Sequence, residues 1–299
     1  MRPLLGRLLV GLLPLLPLTA VADPVGYTVG FNTLYRLDMA TGQATAVGPI
    51  GFTDVEGLAF SSGGTLYGVA DAGTGEPNSS ITDVLIRIDT TTGAGTLVGQ
   101  LGLQGLGPSG NLDYGLAFTA DGRLWLSSDS TNQLWEVSPA GAVTRLVGPT
   151  GRAISGLAAR GNELYGVSVD ATPSLYRIDT GSGAASLIGA LNVGGVVADA
   201  GLDFDAAGQL WAVLDPEPAA EGASRAVRID TTTGAGSVAA NISVASVGME
   251  GLALAPTSLT GGGNGQQVTP QFIPGPSNAF LSLLMALAAI FGVRRLRSA

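Results

Sequence analysis

An all-β fold, a five-bladed β-propeller closed by pairing its N- and C-terminal strands, is predicted by three observations. A unit of four short strands recurs along the chain, turn residues punctuate it, and the ends of the array carry complementary parts of one unit. The first strand of the unit reads Gly-Leu-Ala-Phe, at Gly57 to Phe60, Gly115 to Phe118, Gly156 to Ala159, Gly201 to Phe204 and Gly251 to Leu254. Its glycines are 58, 41, 45 and 50 residues apart, the length of a propeller blade. The second strand carries an aromatic residue: Tyr27, Tyr67, Trp125, Tyr165 or Trp211. The third reads Leu-Tyr-Arg-Ile-Asp, as at Leu34 to Asp38 and Leu175 to Asp179. The fourth is a small apolar run after a Thr-Gly or Gly turn, as at Ala44 to Gly48 and Ser186 to Gly189. Segments such as Ala120-Asp121-Gly122 and Thr233-Gly234 supply the tight turns between strands.

The N-terminal part-repeat begins at Tyr27 with a second-type strand and lacks a first. The C-terminal one, Gly251 to Leu254, is a first-type strand alone. Joined, they make a fifth complete blade and remove the open edge that would invite aggregation. The five repeated aromatics are expected to pack between adjacent blades.

Composition narrows the chemistry. Among 299 residues there is no histidine, cysteine or lysine. That excludes Ser-His-Asp catalysis, thiol chemistry, imidazole or thiolate metal sites and a lysine Schiff base. Residues 23–256 hold nine arginines against all 23 acids, so this region repels nucleic acid and favours cations.

The two ends read as targeting segments. Residues 1–22 have the form of a signal peptide: Arg2 and Arg7, an apolar run from Leu8 to Leu18, and the small-x-small site Ala20-Val21-Ala22. After the domain at 23–256, residues 257–272 form a Gly/Gln-rich linker. Residues 273–299 hold Ile273-Pro274-Gly275-Pro276-Ser277, an apolar run to Val293, and Arg294-Arg295-Leu296-Arg297. As a helix, the run from Asn278 would reach ~24 Å, a marginal transmembrane span with its arginines in the cytoplasm.

This tail resembles the PEP-CTERM sorting signals of Gram-negative bacteria, with Gly275 where those carry glutamate. The resemblance implies recognition by an exosortase-type processing enzyme, passage through the inner membrane, and a destination at the cell surface or in exopolysaccharide matrix. The repeats resemble an uncharacterised family of bacterial secreted propellers built around Tyr-Thr-Val-Gly, Leu-Tyr-Arg-Leu-Asp and Thr-Gly-x-Ala-Thr. Here those are Tyr27 to Gly30, Leu34 to Asp38 and Thr41 to Thr45. That likeness implies the fold and export.

No catalytic constellation stands out. In a propeller, the loops before the first strand and after the second share one face. Glu56, Asp113, Asp199 and Glu250 fall just before innermost strands, a candidate oxygen-ligand site for calcium at the channel mouth. The glutamates precede their glycines by one residue and the aspartates by two, and strand alternation would send them to different sides. Asp71, Asp129, Asp170 and Asp215 follow second strands and are expected to cap turns. Asp38, Asp89, Asp179 and Asp230 are expected to do the same before the Thr/Ser-Gly turns. Long loops at Ala72 to Asp83, Gln100 to Leu112 and Pro216 to Ser224 are candidate partner surfaces. The expected function is a non-catalytic binding or scaffold module for extracellular polysaccharide or a surface protein. The alternative is a calcium-dependent propeller hydrolase or lactonase using the same acids.

Overall fold

The computed structural model describes residues 24–71, 83–103, 113–217, 223–244 and 248–255. The expected signal peptide, linker and sorting tail with its helix, and most of the three long loops, lie outside the described residues. No helix among the described residues is long and apolar enough to cross a membrane.

Twenty strands form five antiparallel sheets of four. The first blade joins β1 (Val25–Gly30), β2 (Thr33–Asp38) and β3 (Ala44–Pro49) to β20 (Glu250–Leu254), in the order β20-β1-β2-β3. The second holds β4 (Thr53–Phe60), β5 (Leu66–Asp71), β6 (Val84–Ile88) and β7 (Gly95–Gln100). The third holds β8 (Tyr114–Phe118), β9 (Leu124–Ser128), β10 (Gln133–Ser138) and β11 (Ala142–Pro149). The fourth holds β12 (Ile154–Arg160), β13 (Glu163–Ser168), β14 (Ser174–Ile178) and β15 (Ala185–Ala190). The fifth holds β16 (Val196–Phe204), β17 (Leu210–Glu217), β18 (Arg225–Ile229) and β19 (Gly236–Asn241). The expected closure is present: Gly26 pairs with Leu254 and Tyr27 with Ala253. A carboxylate reinforces it. Asp203, where the other inner strands carry alanine, accepts the Leu254 amide of the closing strand at 2.7 Å.

The outer strands close the ring a second time. Gly95 donates its amide to the Ile50 carbonyl of the preceding blade, Ala185 to Thr150 and Gly236 to Leu191. Across the chain-end seam, Ser243 replaces this bond: its amide reaches the Gly42 carbonyl and its hydroxyl accepts the Ala44 amide. Every outer strand also bulges at one equivalent residue: Val47, Val98, Val147, Ile188 or Ala239. A bulge on an exposed edge discourages pairing with another chain.

Each of the five apolar clusters spans two neighbouring blades, so the core is a ring of five interfaces. The repeated aromatics occupy them as expected. Tyr27 meets Phe60, Tyr67 meets Phe118 and Tyr165 meets Phe204, edge to face at 5.3–5.9 Å. Where the aromatic is tryptophan, its neighbour shrinks: Trp125 packs with Ala159 and Trp211 with Leu254. A larger ring thus faces a smaller neighbour, as close packing favours. Trp211→Ala should therefore cost ~3–5 kcal/mol, a fall in melting temperature on the order of 10 °C. A thermal melt unchanged by the substitution would remove Trp211 from the interface.

Arginines of the third strands lie across from these aromatics. Arg177 stands 5.2 Å from the Tyr165 ring and Arg228 4.6 Å from that of Trp211. The third blade has Glu136 at this position, opposite Trp125. There Arg123 covers Trp125 at 4.3 Å and binds Glu136 through two hydrogen bonds of 2.7 and 2.8 Å. The fourth blade pairs Arg177 with Glu163 instead, so the charges exchange strands while the stack is kept.

Candidate functional site

The innermost strands start at one mouth of the axial channel and approach each other closely at their glycines. Gly57, Gly115, Gly156, Gly201 and Gly251 line a waist with no room for a water-sized molecule. Among the described residues, the channel is therefore shut at this level and does not run through the ring.

Backbone irregularities decide which side chains enter it. Simple alternation places Glu56 and Glu250 opposite Asp113 and Asp199. However, β4, β16 and β20 carry register shifts beside Glu56, Asp199 and Glu250. Each shift re-aims the chain at the strand start. Asp54 adopts a left-handed φ of 51° at the head of β4. The outcome is one acidic group rather than two opposed ones.

Asp113, Asp129 and Asp199 each offer a carboxylate oxygen, and these oxygens lie within 4.8 Å of one another. Two of the three are among the four acids expected to bind calcium. Asp129 adds a second role to the one expected: its carboxylate bonds the Ser130 hydroxyl and backbone of its own turn, and it also joins Asp113 and Asp199. Its only sequence signal was position, directly after a second strand on the mouth face.

Glu56 and Glu250 flank this trio differently. Glu56 is buried, and its Oε2 accepts the Tyr114 amide of the next blade at 2.6 Å. Ser155 stands at the equivalent position in the fourth blade and similarly bonds the backbone of Ala200. Glu56 thus ties two blades together at the mouth. The Oε2 of Glu250 is buried and has no hydrogen-bond partner among the described residues.

The electrostatics are those of crowded carboxylates. Burial, followed by the charges of Asp113, Asp54, Glu250 and Asp199, pushes Glu56 well above the usual carboxylate range. Burial and then the charges of Asp113 and Asp129 raise Asp199 to about 8. Burial and then Asp199 and Asp54 raise Glu250 to about 9. Asp129 rises to about 7 through burial and the charge of Asp113. The ion pairs among the described residues, Arg123 and Arg145 with Glu136 and Arg160 and Arg177 with Glu163, do not involve these acids.

Other repeated acids are structural. Asp38, Asp89, Asp179 and Asp230 each accept two backbone amides of the following turn, as expected. Asp170 caps Thr172, while Asp215 accepts the Ser224 hydroxyl at 2.7 Å. The Asp71 side chain lies outside the described residues.

A group of carboxylate oxygens with no ion pair to an arginine among the described residues suits a hard cation that takes several oxygen ligands. Fold and site together define the class of protein: a five-bladed β-propeller with an acid-lined axial mouth. The chain belongs to the family described as a repeat of unknown function, DUF6923, whose model matches residues 62–213.

Among solved structures, a protein of unknown function from Bacteroides caccae is similar. It is 13% identical with a TM-score of 0.51, covering 78% of this chain and 99% of its own. A PQQ-bound aldose sugar dehydrogenase from Streptomyces coelicolor is 17% identical, with a TM-score of 0.45 over 83% of this chain and 92% of its own. A virginiamycin B lyase from Staphylococcus aureus is 19% identical, with a TM-score of 0.42 over 72% of this chain and 69% of its own. No curated protein matches the chain. These likenesses concern the fold.

Proposed function

We propose that the chain is an exported, non-catalytic binding module whose working surface is the acidic mouth, and that the mouth holds a calcium-class cation. Asp113, Asp129 and Asp199 would be its ligands, with Glu250 beside them. The observation that carries this reading is the convergence of three carboxylate oxygens within 4.8 Å, none of them ion-paired with an arginine among the described residues. Burial and neighbouring negative charge raise Asp129 and Asp199 within this group, and a bound cation would relieve that cost. The buried Glu250 oxygen without a partner points the same way. Binding is favoured over hydrolysis because the sequence lacks histidine, lysine and cysteine, the usual bases and nucleophiles.

The ends of the chain support the rest of the proposal. The leader at residues 1–22 would export the domain. The PEP-CTERM-like tail at 273–299 would bring it to the inner membrane and an exosortase-type enzyme, for delivery to the cell surface or matrix. Extracellular polysaccharide or a surface protein would be the ligand presented to the mouth.

Calcium titration tests the site. At a concentration 100-fold above Kd, calcium should stabilise the protein by about 2.7 kcal/mol, raising the melting temperature by roughly 5–10 °C. Asp199→Asn should abolish the rise while leaving the fold intact. A melting temperature indifferent to millimolar calcium would sink the proposal.

A further inference from the structure

Phe31 is a residue on the mouth face that packing among the described residues does not explain. It is 62% exposed, although a large apolar side chain gains nothing from packing there. It also occupies a left-handed conformation, with φ of 62°. Phe31 and Asn32 form the two-residue turn between β1 and β2, where Gly30 pairs with Thr33. Positive φ at the first position of such a turn suits glycine, and a bulky residue there is strained. Phe31 thus incurs two costs, exposure and strain, with no packing return among the described residues. Costs of this kind concentrate at functional sites.

Its position gives the cost a purpose. The Phe31 carbonyl accepts the amide of Val55 at 3.2 Å, so the turn is fastened to the residue between Asp54 and Glu56. Asp54 is strained in the same sense. The turn that carries Phe31 is therefore held beside the strand start that carries Asp54 and Glu56. A flat apolar surface beside a hard-cation site matches the chemistry of a pyranose. One face of such a sugar is made of C–H groups, and its edge carries vicinal oxygens that bind hard cations. A protein partner would call for a broader apolar centre. Of the other exposed large apolar residues, Val196 begins β16 on the mouth face, whereas Leu97, Leu146, Leu187 and Val238 lie on the outer strands β7, β11, β15 and β19.

We propose that Phe31 is a stacking platform for a sugar ring of an extracellular polysaccharide, whose oxygens complete the coordination of the cation held by Asp113, Asp129 and Asp199. This rests on the cation-binding reading above.

The test compares wild type, Phe31→Gly and Phe31→Trp for retention on polygalacturonate, a carboxylated polymer, and on dextran, a neutral one, in calcium or in chelator. Wild type should bind one of the polymers in calcium and lose it in chelator. Phe31→Gly should weaken that binding by about tenfold or more, and Phe31→Trp should keep it. Phe31→Gly should also melt at or above the wild-type temperature, because it relieves the strain, and should keep the full calcium-induced shift. Equal binding by Phe31→Gly, a lower melting temperature for it, or no retention of wild type on either polymer would overturn the platform while leaving the cation site standing. Absence of any calcium shift in wild type would overturn both.

Discussion

Gly201→Ala is expected to be among the most damaging single changes in this protein. A Cβ at Gly201 would lie 2.2 Å from the Gly251 carbonyl carbon and 2.3 Å from the Leu252 nitrogen. Both are backbone atoms of the ring-closing strand, so no side chain can swing aside. The blades must part at the seam where the chain ends meet. Overpacking that moves backbone costs more than an ordinary core substitution, and about 4 kcal/mol is expected. Melting should fall by roughly 8–16 °C. Gly208→Ala is the control. Gly208 has φ of 81° but open space around it, so only conformational strain is added. Its cost should be about 1 kcal/mol. Differential scanning calorimetry separates the two, and a Gly201→Ala protein melting within a degree or two of wild type would show that the inner strands are not in contact.

Removing calcium should make stability fall as pH rises. Asp199 and Glu250 have folded values of about 8 and about 9, far above the values near 4 of an unfolded chain. Between those limits the folded state holds more protons than the unfolded one, so stability declines with increasing pH. It is greatest below pH 4, as far as these groups are concerned, and is lost progressively up to about pH 9. With the groups coupled and partly solvated, the total loss between pH 5 and pH 9 should be on the order of 3 kcal/mol. Saturating calcium should flatten the curve by replacing the missing protons. Asp199→Asn should flatten it without calcium and raise the melting temperature at pH 9. The measurement is a series of melts in chelator from pH 5 to pH 9. A melting temperature that climbs over this range would mean that the acids are ion-paired, and the mouth would lose its main electrostatic feature.

Much of the fold was legible because its determinants are local and repeated. The aromatic of each second strand, the Asp before each Thr/Ser-Gly turn, and the glycine of each first strand recur five or nearly five times. Closure followed from the part-repeats at Tyr27 and at Gly251 to Leu254. The acidic mouth was only half legible. Asp113 and Asp199 were expected there and do lie together, but Asp129 was read only as a turn residue. The alternation rule separated acids that register shifts in β4, β16 and β20 bring together. Phe31 gave no warning, because a turn residue's φ is not written in a single sequence.

By itself, the sequence determined the blade, the number of blades and the way the ring shuts, since each follows from repeated hydrogen-bonding and packing units read in order. Only the tertiary structure decided that the inner strands touch at their glycines, that the channel is shut at that level, and that Asp129 shares its mouth with Asp113 and Asp199. Those features depend on distances between blades and on single-residue bulges, which arise when five sheets pack around one axis. No local pattern in any one blade encodes them.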